Sequence, residues 1–148
     1  MRVIGLDHFG LACADLERTV AFFTEVLGIP VRERGELDAG AGAAVGASDL
    51  RGRFADLDLG EGRTLELFEI ERPRRERVAN DPLSPGGTHV ALRVTGIAEL
   101  AERARAAGYS TRSPEPVELS EPGFWHGLRT IYIDGPDELR VELVERQA

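Results

Sequence analysis

Apolar residues alternate with small or polar ones from Val3 to Cys13. In a strand this puts Phe9, Leu11 and Cys13 on one face and His8, Gly10 and Ala12 on the other. The period then lengthens. Leu16, Val20, Phe23 and Leu27 keep helical spacing behind Asp15, whose short carboxylate suits an N-cap, and Gly28 and Pro30 end the predicted helix. Val31 to Arg34 begins another strand. Between Gly35 and Gly52 the pattern fades into Ala39-Gly40-Ala41-Gly42-Ala43-Ala44, read partly as strand and partly as a mobile flap near a pocket mouth. Alternation returns at Phe54 to Leu59, and Gly60-Glu61-Gly62 turns the chain back into Thr64 to Ile70, which predicts a hairpin.

After a stretch broken by Pro73, Pro82, Pro85 and Gly86-Gly87, the same order begins again. Thr88 to Val94 reads as a strand. Ile97, Leu100, Ala101 and Ala104 share one helix face, with Gly108 as the stop. A short strand follows from Tyr109, then a loop from Ser113 to Gly127. A closing hairpin runs from Leu128 to Ile133 and from Leu139 to Val144, across Asp134-Gly135-Pro136-Asp137. Each half is therefore strand, helix, three strands, and such an internal repeat constrains the architecture more strongly than any single segment.

Composition narrows the function classes. A chain of 148 residues with 42% hydrophobic content can bury one core, and the repeat divides it into two half-domains. Its net charge of −8 argues against nucleic acid and anionic membranes as partners, because both require a basic face. Arg72, Arg74, Arg75 and Arg77 are interrupted by Glu71 and Glu76 and read as a solvated linker. Cys13 is the only cysteine, which excludes an intrachain disulfide and points to a reducing, cytoplasmic setting. No leader-like apolar segment and no membrane-length apolar run occurs.

The repeat also doubles a set of potential ligands. His8 and His89 stand at matching positions on the first strand of each half, each sharing a face with a small neighbour, Gly10 or Ala91. Each half closes on a strand holding two glutamates, Glu66 and Glu69 in one and Glu142 and Glu145 in the other. Alternation lets only one of each pair face the imidazole. Glu66 and Glu142, flanked by apolar residues in mid-strand, are the better candidates. Two neutral imidazoles and two carboxylates carry charge −2, and this mixed N/O set suits Ni, Co, Zn, Fe or Mn better than Ca or Mg. Four protein ligands on an octahedral ion leave two adjacent positions for a substrate with neighbouring oxygens. In the loop Pro122-Gly123-Phe124-Trp125-His126-Gly127, the two aromatics read either as an apolar wall over a substrate, with His126 as an acid–base group, or as ordinary anchors of the loop.

Asp7-His8-Phe9-Gly10-Leu11, Phe22-Phe23-Thr24-Glu25-Val26-Leu27-Gly28, Leu65-Glu66-Leu67, Thr88-His89-Val90-Ala91 and Tyr132-Ile133-Asp134-Gly135-Pro136-Asp137 through Val141-Glu142-Leu143 together resemble the vicinal oxygen chelate superfamily. That superfamily includes glyoxalase I, epimerases, extradiol dioxygenases and bleomycin-binding proteins. The resemblance implies an α+β fold, two tandem βαβββ modules forming an open cup-shaped mixed sheet around a metal site. It divides one domain, 1–148, into module 1 (1–72), a linker (73–86) and module 2 (87–148). It further implies one divalent transition metal per chain held by His8, Glu66, His89 and Glu142, a homodimer, and a small-molecule substrate in a pocket including Phe68, Phe124 and Trp125.

The ligand set is similar to that of bacterial glyoxalase I. The expected chemistry is that of an isomerase, epimerase or lyase working by proton transfer through a metal-bound enediolate, with Glu66, Glu142 and His126 as the acid–base groups. Departures exist: Phe68-Glu69-Ile70-Glu71-Arg72-Pro73 lacks the polar turn usual after the ligand strand, and no basic pair is placed for the carboxylates of glutathione. The alternatives are an Fe(II) extradiol-type dioxygenase using His8, His89 and Glu142, and a non-catalytic drug- or metabolite-binding protein.

Overall fold

The computed structural model describes residues 1–146; residues 147 and 148, assigned above to the second module, lie outside it. It is a mixed α+β structure with two sheets, and the chain divides into two compact units, Met1–Arg77 and Val78 onward.

In the first unit, β1 (His8–Ala12) leads into α1 (Leu16–Ala21), then β2 (Val31–Leu37), α2 (Ala39–Val45), β3 (Arg51–Asp58) and β4 (Thr64–Arg72). The sheet order is β1-β4-β3-β2, with β1 parallel to β4 and the other pairs antiparallel. Asp15 caps α1 as expected, its side chain accepting from the Arg18 amide at 3.0 Å. At Phe22 the helix widens into a π turn, Phe22–Val26, in which the Leu27 amide donates to Phe22 O. The extra residue per turn rotates the apolar stripe. Phe22, Phe23 and Val26 enter the core, whereas Leu27, expected there, is only half-buried. Gly28 ends the helix at φ 76°, a left-handed conformation that suits glycine.

Two expectations for this unit are corrected. The first strand begins at His8, not Val3, and Val3, Ile4 and Leu6 are exposed outside any strand. The Gly/Ala-rich run is not a loop. It forms α2, because the Asp38 carboxylate caps the amides of Gly40 and Ala41 and alanine favours helix over a short span. Gly42 is needed inside that helix: a Cβ there would lie 2.2 Å from Ala47 O.

The second unit repeats the plan with β5 (Val90–Arg93), α3 (Ile97–Ala106), β6 (Ser110–Thr111), β7 (Val117–Leu119), β8 (Leu128–Asp134) and β9 (Arg140–Arg146). Its sheet order is β5-β9-β8-β6, with β7 also paired to β8 and β5 parallel to β9. The position of β2 is thus filled by two short pieces, so part of the expected loop from Ser113 is strand. Ile97, Ala101 and Ala104 are fully buried, as their spacing predicts.

Strand alternation gives each sheet one dry face. Leu65, Leu67, Ala55 and Leu57 are fully buried in the first unit, and Val141, Leu143 and Ile133 in the second. The face that remains carries the chemistry.

Candidate functional site

In both units the parallel pair at the sheet edge sets the geometry. Gly10 is in register with Glu66, and Ala91 with Glu142, so the histidine two residues earlier lies beside the same glutamate. His8 Nε2 is 3.8 Å from Glu66 Oε2, and His89 Nε2 is 3.3 Å from Glu142 Oε2. Each unit therefore presents one imidazole nitrogen and one carboxylate oxygen side by side, two donors of the kind a borderline divalent cation takes. Among the described residues no group of three or more metal-binding side chains is gathered.

The environments of the two pairs differ. Glu142 is held: Thr130 Oγ1 donates to its Oε1 at 2.6 Å, and Tyr132, opposite it in β8, shares a hydrogen bond with it. Burial first, and then the Glu142 charge, push the Tyr132 hydroxyl above its usual range, so the phenol stays a donor. Tyr132 also stacks edge-on against His89, with ring centroids 5.5 Å apart. Glu66 takes no hydrogen bond among the described residues, and a Cβ on Gly10 would sit 3.4 Å from its Oε2.

His8 is anchored from behind, its Nδ1 lying 2.9 Å from Asp7 Oδ1. This leaves Nε2 as the free nitrogen and raises the imidazole above its usual 6.5, chiefly through the Asp7 hydrogen bond and, against some desolvation, with help from Glu66. In the metal-free protein His8 should therefore titrate above 6.5, and Asp7→Asn should bring it back toward that value. Proton chemical shifts of the ring across pH 5–9 give the measurement; an unchanged midpoint in the variant would show that Asp7 is not the cause. A cation at Nε2 competes with that proton, so its affinity falls as pH drops through the raised value.

The outer glutamates serve a different purpose, which the sequence reading missed. Glu69 accepts from the Leu16 amide at 3.0 Å and pairs with Arg53 at 2.8 Å. Glu145 accepts from the Gly96 and Ile97 amides at 2.6 and 3.2 Å and pairs with Arg129 at 2.8 Å. In each unit the carboxylate satisfies the amides at the start of a helix while its arginine stands directly opposite on the next strand. The repeat thus extends to its capping groups, and the shared spacing of Arg53 to Glu69 and Arg129 to Glu145 was the signal available to find them.

The remaining predicted residues divide. Phe68 lies on the Glu66 face, its ring 3.2 Å from where a Cβ on Gly10 would stand. Phe124 and Trp125 are 75% and 57% exposed and stack on each other, with the Arg146 guanidinium over Phe124. His126 turns into its own loop, Nδ1 lying 3.0 Å from Ser120 O. A cavity of about 480 Å³ in the second unit is lined by Asn80, Asp81, Arg112, Asp134, Glu138 and Arg140, not by His89 or Glu142. Arg112 and the buried Arg140 both pair with Asp134 there, which makes it a salt-bridged cluster under the β8–β9 turn.

The model of the Glyoxalase/Bleomycin resistance protein/Dioxygenase superfamily matches residues 5–143. The chain is 29% identical over 149 residues to a 2-epi-5-epi-valiolone epimerase of Actinomyces sp., covering 98% of this chain and 81% of that protein. It is 29% identical over 143 residues to a lactoylglutathione lyase of Salmonella typhimurium, covering 95% and 91%. A lactoylglutathione lyase of Arabidopsis thaliana is 25% identical over 140 residues, and there the chain spans only 43% of the relative's length. A glyoxalase family protein from Bacillus cereus superposes with a TM-score of 0.84 over 100% of this chain and 97% of that one, at 20% identity, a likeness of fold.

Proposed function

The chain belongs to the Glyoxalase/Bleomycin resistance protein/Dioxygenase superfamily, and from that premise we propose that it is a divalent-metal-dependent isomerase, epimerase or lyase that moves a proton beside a carbonyl of a small oxygenated substrate. Relatives named as an epimerase and as lyases support this class of activity. The observation that carries the reading is the doubled histidine–glutamate pair with one glutamate restrained and the other free.

His8, Glu66, His89 and Glu142 are assigned as the metal ligands, and a homodimer is part of the reading. A bound divalent cation would polarise the substrate carbonyl and so acidify the neighbouring C–H. The protein's own part is proton transfer. Glu142, fixed by Thr130 and Tyr132, keeps one orientation. Glu66 has no such tether and, at 30% side-chain exposure, has room to swing toward a substrate carbon, take its proton and return it to another position. The loop bearing Phe124, Trp125 and His126 is assigned to covering the substrate, its exposed rings gaining a partner when a ligand binds.

The test is hydrogen exchange. Hemithioacetal and chiral 2-oxo-acyl compounds incubated in D₂O with the Ni²⁺, Co²⁺ and Fe²⁺ forms should take up deuterium only when metal is present. Glu66→Gln, assayed with enough metal to saturate the weakened site, should slow that uptake by about 10²–10⁴-fold. Oxygen consumption with catechol cleavage by the Fe²⁺ form, without deuterium uptake, would move the assignment to dioxygenase.

A further inference from the structure

The cavity under the β8–β9 turn is built by strand register. Asp134, at the end of β8, stands opposite Arg140 on β9 and opposite Ser110 on β6. Arg112 continues the ladder, its amide donating to Tyr132 O at 2.9 Å, and its side chain returns to Asp134. Asn80 fastens its own segment to this end of the sheet. Its side-chain amide donates to Thr88 O and Glu138 O at 3.0 and 3.4 Å, and its oxygen accepts from the Thr88 amide at 3.0 Å. Within this enclosure Arg140 is only 7% exposed.

Donors are left over on these walls. The Asp134 carboxylate takes the Arg112 Nε–H at 3.0 Å and the Ser110 hydroxyl at 3.2 Å, and it also pairs with Arg140 Nη1. Asp81 is closed on its own turn, accepting from the Leu83 amide at 3.1 Å and the Ser84 hydroxyl at 2.8 Å. Arg140 Nε and Nη1 are buried without a hydrogen bond among the described residues, Nη1 meeting Asp134 only as an ion pair. The terminal amino groups of Arg112 take no partner there either. A buried guanidinium in this state is costly. Burial first, and then the like charge of Arg112, press the Arg140 guanidinium below its usual range, and the Asp81 charge does not restore it. The cation is under-compensated where it stands.

We propose that this cavity is a binding site for a small organic monocarboxylate, held between the Nε edge of Arg140 and the terminal amino groups of Arg112. A planar acceptor with two oxygens matches the fork of a guanidinium, which a spherical anion such as chloride does not. The walls also set an upper limit on charge. Asp81 and Glu138 line the same cavity, so a second negative charge on the ligand meets repulsion and dianions are disfavoured. The volume of about 480 Å³ leaves room for further ligand atoms beyond the carboxylate. No histidine lines this cavity, and the site does not rest on the proton-transfer reading.

The probe is sodium acetate, titrated into the full-length chain freed of metal on a chelating resin, at neutral pH and with ionic strength held constant by sodium chloride. Acetate should shift the Arg140 Nε–Hε resonance and saturate with a dissociation constant on the order of 1–10 mM. Malonate and inorganic phosphate should bind at least about threefold more weakly. Arg140→Lys keeps the charge but loses the fork, and should weaken acetate about tenfold or more, followed at the Gly135 amide. Arg112→Lys changes an exposed side chain and should weaken it by a smaller factor, about threefold. Circular dichroism verifies the fold of each variant, and if Arg140→Lys does not fold, Arg112→Lys decides. Three results would each overturn the inference: shifts still linear at about 0.1 M acetate, phosphate binding more tightly than acetate, or acetate affinity unchanged in Arg112→Lys.

Discussion

A chain in which His8 and His89 are both replaced by Ala should retain no stoichiometric divalent metal after dialysis. Each imidazole supplies the only nitrogen donor of its pair, and each is aimed at its glutamate through Nε2. Loss of an outer-shell partner alone typically costs about 10–100-fold in metal affinity, and loss of a direct ligand costs more. The single variants should therefore bind detectably but weakly, and the double variant not at all. Metal analysis of the purified proteins decides the matter: one equivalent held by the double variant would remove these residues as ligands.

The second large effect concerns folding. Phe23 is fully buried in the π turn, its ring edge-on to Phe22 with centroids 5.0 Å apart. Phe23→Ala should destabilise the first unit by about 3–5 kcal/mol through lost burial and the cavity left behind. Against a typical stability of about 5–15 kcal/mol, that is a large share. Urea unfolding monitored by circular dichroism gives the value. A loss under about 1 kcal/mol would mean that the turn repacks around the gap.

The doubled histidine–glutamate pairing was legible because it needs only strand alternation and the repeat. Alternation separates Glu66 from Glu69, and mid-strand position favours the inner one. The helices were legible at Asp15, Gly28 and Gly108, where a side chain or a positive φ fixes the boundary locally. Misreadings arose where a distant or backbone-level effect decides. Gly40 and Gly42 weaken helix propensity, yet Asp38 and the packing of Gly42 against Ala47 outweigh it. The π turn at Phe22 shifts the buried stripe by a residue, which a 3.6-residue period does not anticipate. Tyr132 and Arg140 were invisible because their meaning depends on cross-strand register, which hydrophobic pattern and turn geometry set jointly.

The three-residue interval between Glu66 and Glu69, and again between Glu142 and Glu145, has a consequence for how such a chain can change. Because the interval is odd, one carboxylate faces the imidazole and the other faces the start of a helix. Inserting or deleting a single residue between them inverts one of the two, sending a charge into the dry side or stripping a helix of its cap. A change of length in these strands must therefore be absorbed by a bulge that restores the alternation, of the kind already present between Arg51 and Gly52 in the β3–β4 pair. The stretches from Pro73 to Gly87 and from Ser120 to Gly127 lie outside these strands and carry no such parity constraint, so a residue added or removed there inverts neither an imidazole-facing carboxylate nor a helix cap.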